Sequence, residues 1–392
     1  MDFFSDTGSQ TLADNFGGEH PVVARADLPK SRPLHVMILL HSDCGNRTSQ
    51  RRILQYVHAL KRENIHCEVL PFYGPPPRSL KHCAYDGGQT LASSLNKRFH
   101  SLRHLRDDID LVWIEKEALP HMPWLAEKFL LPANIPIITD LGDMDLQLQS
   151  QNESSVLRNM FSDKATQMMR NATLVMAGNS HMMERAKQAG ATWVEVMPTA
   201  ITPCTVNPVQ RSHADCKLRV GWIGTAPAWT REAEPLFRSL SPIFTQKNAV
   251  ARVVGARAGR SRCGFLDYHP RTPGAETDQI TAMDVALAPL ENGPLGEAAS
   301  GYQIMRYMAC GVPVIASPLG AQGEIIEHGV NGFLASNEEE WCSALNALLE
   351  DADLRRKIGN AGKAKVEKEF TLPRIVPKIA NLLNRAAALK AA

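Results

Sequence analysis

Residues 303–336 read QIMRYMACGVPVIASPLGAQGEIIEHGVNGFLAS, and the fold is decided there. Ile304, Met305 and Met308 recur at helical spacing and form the apolar face of a helix. Gly311 stands where a helix ends on a left-handed residue. Residues 312–316 are short and apolar, as in a strand buried on both faces of a parallel sheet. A glycine-bearing loop, a short helix, a tight turn and a second strand follow. Upstream, Ser300 and Gln303 have the spacing of a capping box, which predicts a helix starting at Gly301. A helix that opens just after a strand and loop presents free backbone N–H groups, an end that favours a phosphate.

The same strand–helix alternation extends in both directions. Toward the N-terminus, apolar runs at 35–40, 66–71, 110–114, 135–140, 172–177 and 193–198 read as strands. Between the first two, a helix from about Ser49 to Arg62 places Ile53, Leu54, Val57 and Leu60 on one face. Asn179 and Ser180 precede the next clear helix as an N-cap pair. A second series of strands begins at 218–224 and continues at 251–255 and 284–290. A capping box of Ser336 with Glu339 opens a helix over 336–349, and a last helix covers roughly 374–389. Alternating strands and helices predict an α/β architecture with parallel sheets covered on both faces. Residues 200–216 lack periodicity and read as a hinge. The expected division is a flexible tail over 1–30, a first Rossmann-like domain over 31–205, a second over 206–371, and a C-terminal helical segment over 372–392.

Length and composition agree. A chain of 392 residues with 44% hydrophobic content supports two sizeable cores. Its formal charge of +2 gives no global case for nucleic acid. No run of 18 apolar residues is present, and the polar, acidic first residues do not read as a signal peptide. The eight cysteines are scattered without a CxxC pair, which points to neither a zinc site nor a disulfide framework and suits a reduced cytoplasm.

The order of residues 307–317 (YMACGVPVIAS), then Gly320, then Glu324-Ile-Ile, then Gly329-Val-Asn-Gly-Phe333, resembles the donor-side signature of retaining glycosyltransferases with the GT-B fold (glycosyltransferase group 1, family 4-like). That resemblance implies two Rossmann-like domains facing across a cleft, with the last helix packing back toward the first domain. It implies transfer of a sugar from a nucleotide diphosphate sugar to a glycan, lipid-linked or other hydroxyl acceptor, with retention. It implies no metal and no cofactor besides that donor, and a setting in cell-surface polysaccharide or glycoconjugate assembly.

Candidate donor contacts follow. Gly224 allows close backbone approach, or only helix–strand packing. Where the family commonly has arginine and then lysine, this chain has Thr225 and, further on, Arg231. Arg257, Arg260 and Arg262 follow the next strand, as phosphate ligands or a solvated basic loop. Gly301, Tyr302, Gln303 and Arg306 occupy the donor-gripping segment. Arg306 stands where the family places a ribose-binding glutamate, so acceptor chemistry gives way to donor chemistry. Glu324 either contacts the sugar or caps a helix.

The first domain is expected to supply the acceptor site. Asp140 and Asp143, with Asp145, follow a buried strand and are candidates to take or position the acceptor's proton, or to cap the next helix. Glu115 and Glu117 are second choices and His121 an outside one. Gly45, Asn46 and Arg47 lie in the first strand–helix loop; Arg51 and Arg52 continue that charge, with Arg51 read as a solvated face. Between residues 78 and 106, Arg78, Lys81, Lys97, Arg98, Arg103 and Arg106 face one acid, Asp86. Such an excess suits peripheral contact with an anionic membrane or lipid diphosphate, or ordinary solvated surface. Two other classes share the fold: a non-catalytic glycan- or partner-binding protein, and a sugar-nucleotide epimerase.

Overall fold

The computed structural model describes residues 32–74, 90–142, 163–204, 217–257, 264–272 and 274–389. Asp143, Asp145, Arg260, Arg262, Arg78, Lys81, Asp86, the proposed tail and most of the expected hinge lie outside the described residues.

Among the described residues, twelve strands form two six-stranded sheets. The first takes the order β2-β1-β3-β4-β5-β6, with β1 at Leu34–Leu39, β2 at Ile65–Leu70, β3 at Leu111–Glu115, β4 at Ile137–Leu141, β5 at Leu174–Ala177 and β6 at Val194–Val196. The second takes the order β12-β11-β10-β7-β8-β9, with β7 at Arg219–Ile223, β8 at Val250–Val254, β9 at Leu266–His269, β10 at Val285–Ala288, β11 at Val314–Ala316 and β12 at Phe333–Leu334. All pairings are parallel, as the apolar runs require. β9 was not foreseen: its LDYH sequence is only half-buried, so it lacks the apolar run that reveals the inner strands.

Helices cover both faces of each sheet. The helix over 47–60 interrupts its α-helical course with a π-helical turn at Gln50–Leu54. It buries Ile53, Leu54 and Leu60 against Val36, Ile38 and Trp113. Helix Leu372–Ala388 adds Ile375, Ile379, Leu382 and Leu383 to this same first-domain core. Each such large side chain contributes roughly 1.5–3 kcal/mol of gross burial. The chain therefore crosses between domains twice, and the crossings lie together: Ile201 N–H donates to the Phe370 carbonyl at 2.7 Å.

Local corrections concern helix starts. Helix Tyr302–Ala309 begins one residue later than predicted, and no side chain caps it. Gly301 takes the N-cap position with φ 70, a left-handed backbone that disfavours a side chain. A Cβ there would meet Ile325 Cδ1 at 2.7 Å. Ser300 is buried, and Gln303 turns to other partners, so the expected capping box does not form. Helix Glu338–Glu350 is capped by Asn337, whose side chain accepts from Glu340 N–H at 3.0 Å, one residue beyond the predicted Ser336–Glu339 box.

Candidate functional site

The carboxyl ends of the two sheets face one another, and both domains bring charge to the space between. Asn46 begins the helix over 47–60, its side chain accepting from Thr48 N–H at 2.9 Å. That cap aims Arg47 and, a turn later, Arg51 at the second domain. There, Glu276 opens helix Glu276–Thr281, shortly after the end of β9. Arg47 Nη1 lies 3.0 Å and Arg271 Nε 2.5 Å from Glu276 Oε1. Arg306 Nη2 lies 2.6 Å and Arg51 Nη2 3.7 Å from Oε2. Tyr302 closes one side, with the Arg51 guanidinium 4.4 Å and that of Arg306 5.9 Å from the ring centroid. Burial acts to raise the Glu276 pKa, but the hydrogen bond from Arg271 and the charges of Arg306, Arg271 and Arg51 outweigh it and hold the carboxyl below its usual range. Burial is the main cause that lowers the Arg51 pKa.

Beside this cluster lies a hollow of about 410 Å³, lined by residues 255–257 and 268–271. Gly255 shapes its floor: φ is 93, and a Cβ would lie 2.2 Å from the Gly224 carbonyl oxygen. Only glycine allows the ends of β7 and β8 to approach so closely. Arg257 and Arg271 both border the hollow.

Other sequence candidates have structural partners. Thr225 caps the helical turn at Ala226–Ala228. Arg231 is paired with Glu232 and with Glu291, at 3.0 Å from the latter. Gln303 Nε2 donates to the Ile223 carbonyl at 2.8 Å and to the Tyr307 hydroxyl at 2.9 Å, which ties its helix to β7. Glu324 Oε1 accepts from Ser180 N–H at 2.9 Å, so it caps helix Ser180–Gln188 of the opposite domain. Burial raises its pKa, against that hydrogen bond. Asn179 Nδ2 donates to the Glu297 and Ala299 carbonyls across the same seam.

On the first-domain side Asp140 corrects an expectation. It is 2% exposed and receives Arg52 Nε at 2.7 Å and Gly142 N–H at 3.0 Å. Its carboxylate faces Arg52 and not the cleft, because the end of β4 is covered by the helix over 47–60. Burial raises its pKa, opposed by Arg52. Arg52 also donates to the Met197 carbonyl. Glu115 accepts from Ser49 Oγ at 2.7 Å and His41 N–H at 3.2 Å. Glu117 is held by Lys164, which also reaches Glu127 at 2.8 Å. His121 is exposed, with φ 66. Gly45 sits in the turn before the Asn46 cap.

The structure thus brings together Arg47, Tyr302 and Arg306 from the sequence candidates, and adds Arg51, Arg271 and Glu276. Arg51 is half-buried over Tyr302, not a solvated face. Arg271 and Glu276 escaped notice because β9 did; only the acid at a helix start hinted at them.

Residues 217–351 match the model of a family described as glycosyl transferases group 1. Over 146 residues the chain is 26% identical to alpha-maltose-1-phosphate synthase of Mycobacterium tuberculosis, covering 35% of this chain and 36% of that protein. The matched stretches span between 20% and 36% of the length of the curated relatives. Sucrose-phosphate synthase from Thermosynechococcus elongatus superposes with a TM-score of 0.66 at 15% identity, covering 91% of this chain and 100% of that one. HepE of Anabaena, in complex with UDP-glucose, gives a TM-score of 0.65 at 19% identity, covering 89% and 99%.

Proposed function

We propose, from the match of residues 217–351 to the group 1 glycosyl transferases and from the GT-B architecture of the two sheets, that this chain moves a sugar from a nucleotide diphosphate sugar to a hydroxyl acceptor. The observation that carries the reading is the set of Arg47, Arg51, Arg271 and Arg306 around the single carboxylate of Glu276. An excess of three positive charges, drawn from both domains and partly shielded from water, suits a ligand with two linked phosphates. In transfer, the bond from the anomeric carbon to the diphosphate oxygen breaks, and negative charge grows on the departing diphosphate. Fixed guanidiniums around that oxygen lower the barrier most where the charge develops. Arg306, on the helix of residues 302–309, and Arg47, across the cleft, are the principal diphosphate ligands in this reading.

The nucleoside would occupy the hollow at 255–257 and 268–271, with Arg257 at its rim and Gly224 beneath. The acceptor would approach from the first-domain loop at 41–46, which includes Gly45 and Asn46. Asp140 acts at one remove: it holds Arg52, and so the helix that presents Arg47 and Arg51. Retention, independence from metal and an acceptor in polysaccharide or glycoconjugate assembly rest on the resemblance of residues 303–336. HepE, solved with UDP-glucose, supports a nucleotide sugar as the donor class.

Calorimetry with UDP, GDP and ADP tests the reading. One of them is expected to bind wild type, and about tenfold to hundredfold more weakly after Arg306→Ala, from the loss of a charge-assisted hydrogen bond. Failure of all three to bind would refute it. A second reading, a protein that binds such donors without transfer, is favoured by one observation: Gln303 and Glu324 are both committed to contacts within the protein. Tight binding without release of nucleoside diphosphate under any acceptor would select it.

A further inference from the structure

The bridging of Glu276 has a specific pattern. Each carboxylate oxygen is shared by one arginine of each domain: Oε1 by Arg47 and Arg271, Oε2 by Arg51 and Arg306. We propose that Glu276 is an internal counter-ion, which draws the two domains together and competes with a ligand's phosphate for the same four guanidiniums. The inference rests on reading this cluster as an anion site.

Three observations support it. A carboxylate offers two acceptor oxygens to the fork-shaped donors that also grip two oxygens of a phosphate. Arginine does not deprotonate at working pH, so four guanidiniums so placed need an anion between them. Among the described residues, Glu276 is the acid within 4.0 Å of Arg47, Arg51, Arg271 and Arg306. A phosphate arriving among these donors meets the carboxylate's negative charge, so the two exclude one another.

Glu276 is also placed to leave. It opens a helix of six residues whose N-cap, Ala275, contributes no side-chain hydrogen bond. Gly274 just before it has φ 84 and open space around the position of a Cβ. The Glu276 side chain retains 18% exposure, so it is in touch with solvent. A fixed strut that only positions the arginines would have no need of that freedom. The two roles predict opposite effects of neutralising the residue.

The test compares wild type, Glu276→Gln and Glu350→Gln, which removes the same charge from a surface pair with Lys247 remote from the cluster. Inorganic pyrophosphate binding is measured by calorimetry, radius of gyration by small-angle scattering, and folding by circular dichroism. Glu276→Gln is expected to bind pyrophosphate at least tenfold more tightly than wild type, with Glu350→Gln unchanged. Without pyrophosphate its radius of gyration is expected to exceed that of wild type, and to return to the wild-type value once pyrophosphate is bound. Equal or weaker binding by Glu276→Gln, or an unchanged radius, overturns the counter-ion role. If wild type binds pyrophosphate and the variant gains nothing, only this inference falls. If the variant gains but no nucleotide sugar binds either protein, the transfer reading falls and the counter-ion stands. Absence of pyrophosphate binding in wild type and both variants removes the counter-ion role, while the transfer reading still stands or falls on the binding of UDP, GDP and ADP.

Discussion

His41 lies two residues beyond the end of β1, with its Nδ1 3.5 Å from Glu117 Oε1. Glu117 is itself neutralised by Lys164, so it gives the imidazole little help. Burial, followed by the charges of Lys116, His121, Lys164 and Arg98, lowers the His41 pKa from 6.5 to about 4. The unfolded chain therefore takes up a proton near pH 6.5, and the folded chain only near pH 4. The stability this difference supplies is present above pH 6.5 and is lost as pH falls through the window down to about 4. His41→Asn is expected to flatten the decline in unfolding free energy over that window by about 3 kcal/mol. Urea unfolding at a series of pH values checks this; an equally steep decline in the variant would show that other groups cause it. At this scale the sequence identified residue types and loops but not pairings. Arg51 and Arg52 are adjacent, yet one faces Glu276 at the cleft and the other Asp140 in the core. Nothing in their spacing distinguishes them, because the helix's angle to two different sheets decides which way each points.

The element with the most consequence for the site is the helix of residues 302–309, which carries Tyr302 and Arg306 and is fixed from several directions. Gln303 and the Tyr307 hydroxyl tie it to Ile223 in β7, the latter by accepting Ile223 N–H at 3.0 Å. Its end turns at Gly311, φ 64, whose carbonyl packs against Gly359 of helix Ala352–Glu369. A Cβ on Gly359 would lie 2.2 Å from that oxygen. Gly359→Ala therefore forces the two helices apart, at a cost of about 1–3 kcal/mol, the usual range for overpacking. Its urea midpoint should fall, and Arg306 should shift enough to weaken pyrophosphate binding; a variant as stable as wild type would mean that the helix yields without strain. The helix, its glycine stop and the following strand were legible because hydrophobic period and backbone conformation are local properties. Its N-cap was not, since Ser300 is buried by a tertiary contact that overrides its capping preference.

Across the whole molecule, helix Leu372–Ala388 joins the end of the chain to the core of the beginning. Leu383 has 0% exposure there. Leu383→Ala is expected to cost about 2–5 kcal/mol through lost burial and the cavity left behind. Because the helix completes the first domain's core, the first-domain transition should move to lower denaturant while the second domain's transition remains. Domain-specific tryptophan fluorescence, with Trp113 in the first core and Trp222 in the second, separates the two. A shift confined to the second domain would contradict this assignment of the helix. Among the described residues no helix is long and apolar enough to cross a membrane. Two α/β domains with parallel sheets and the scaffold around residues 303–336 were readable from the chain alone, because burial periodicity and glycine stops depend on near neighbours in the chain. The charged centre emerges on folding. Arg47, Arg51, Arg271, Glu276 and Arg306 come from separate loops and helices of two domains, and Coulomb attraction joins them only after both sheets have brought those ends within a few ångströms.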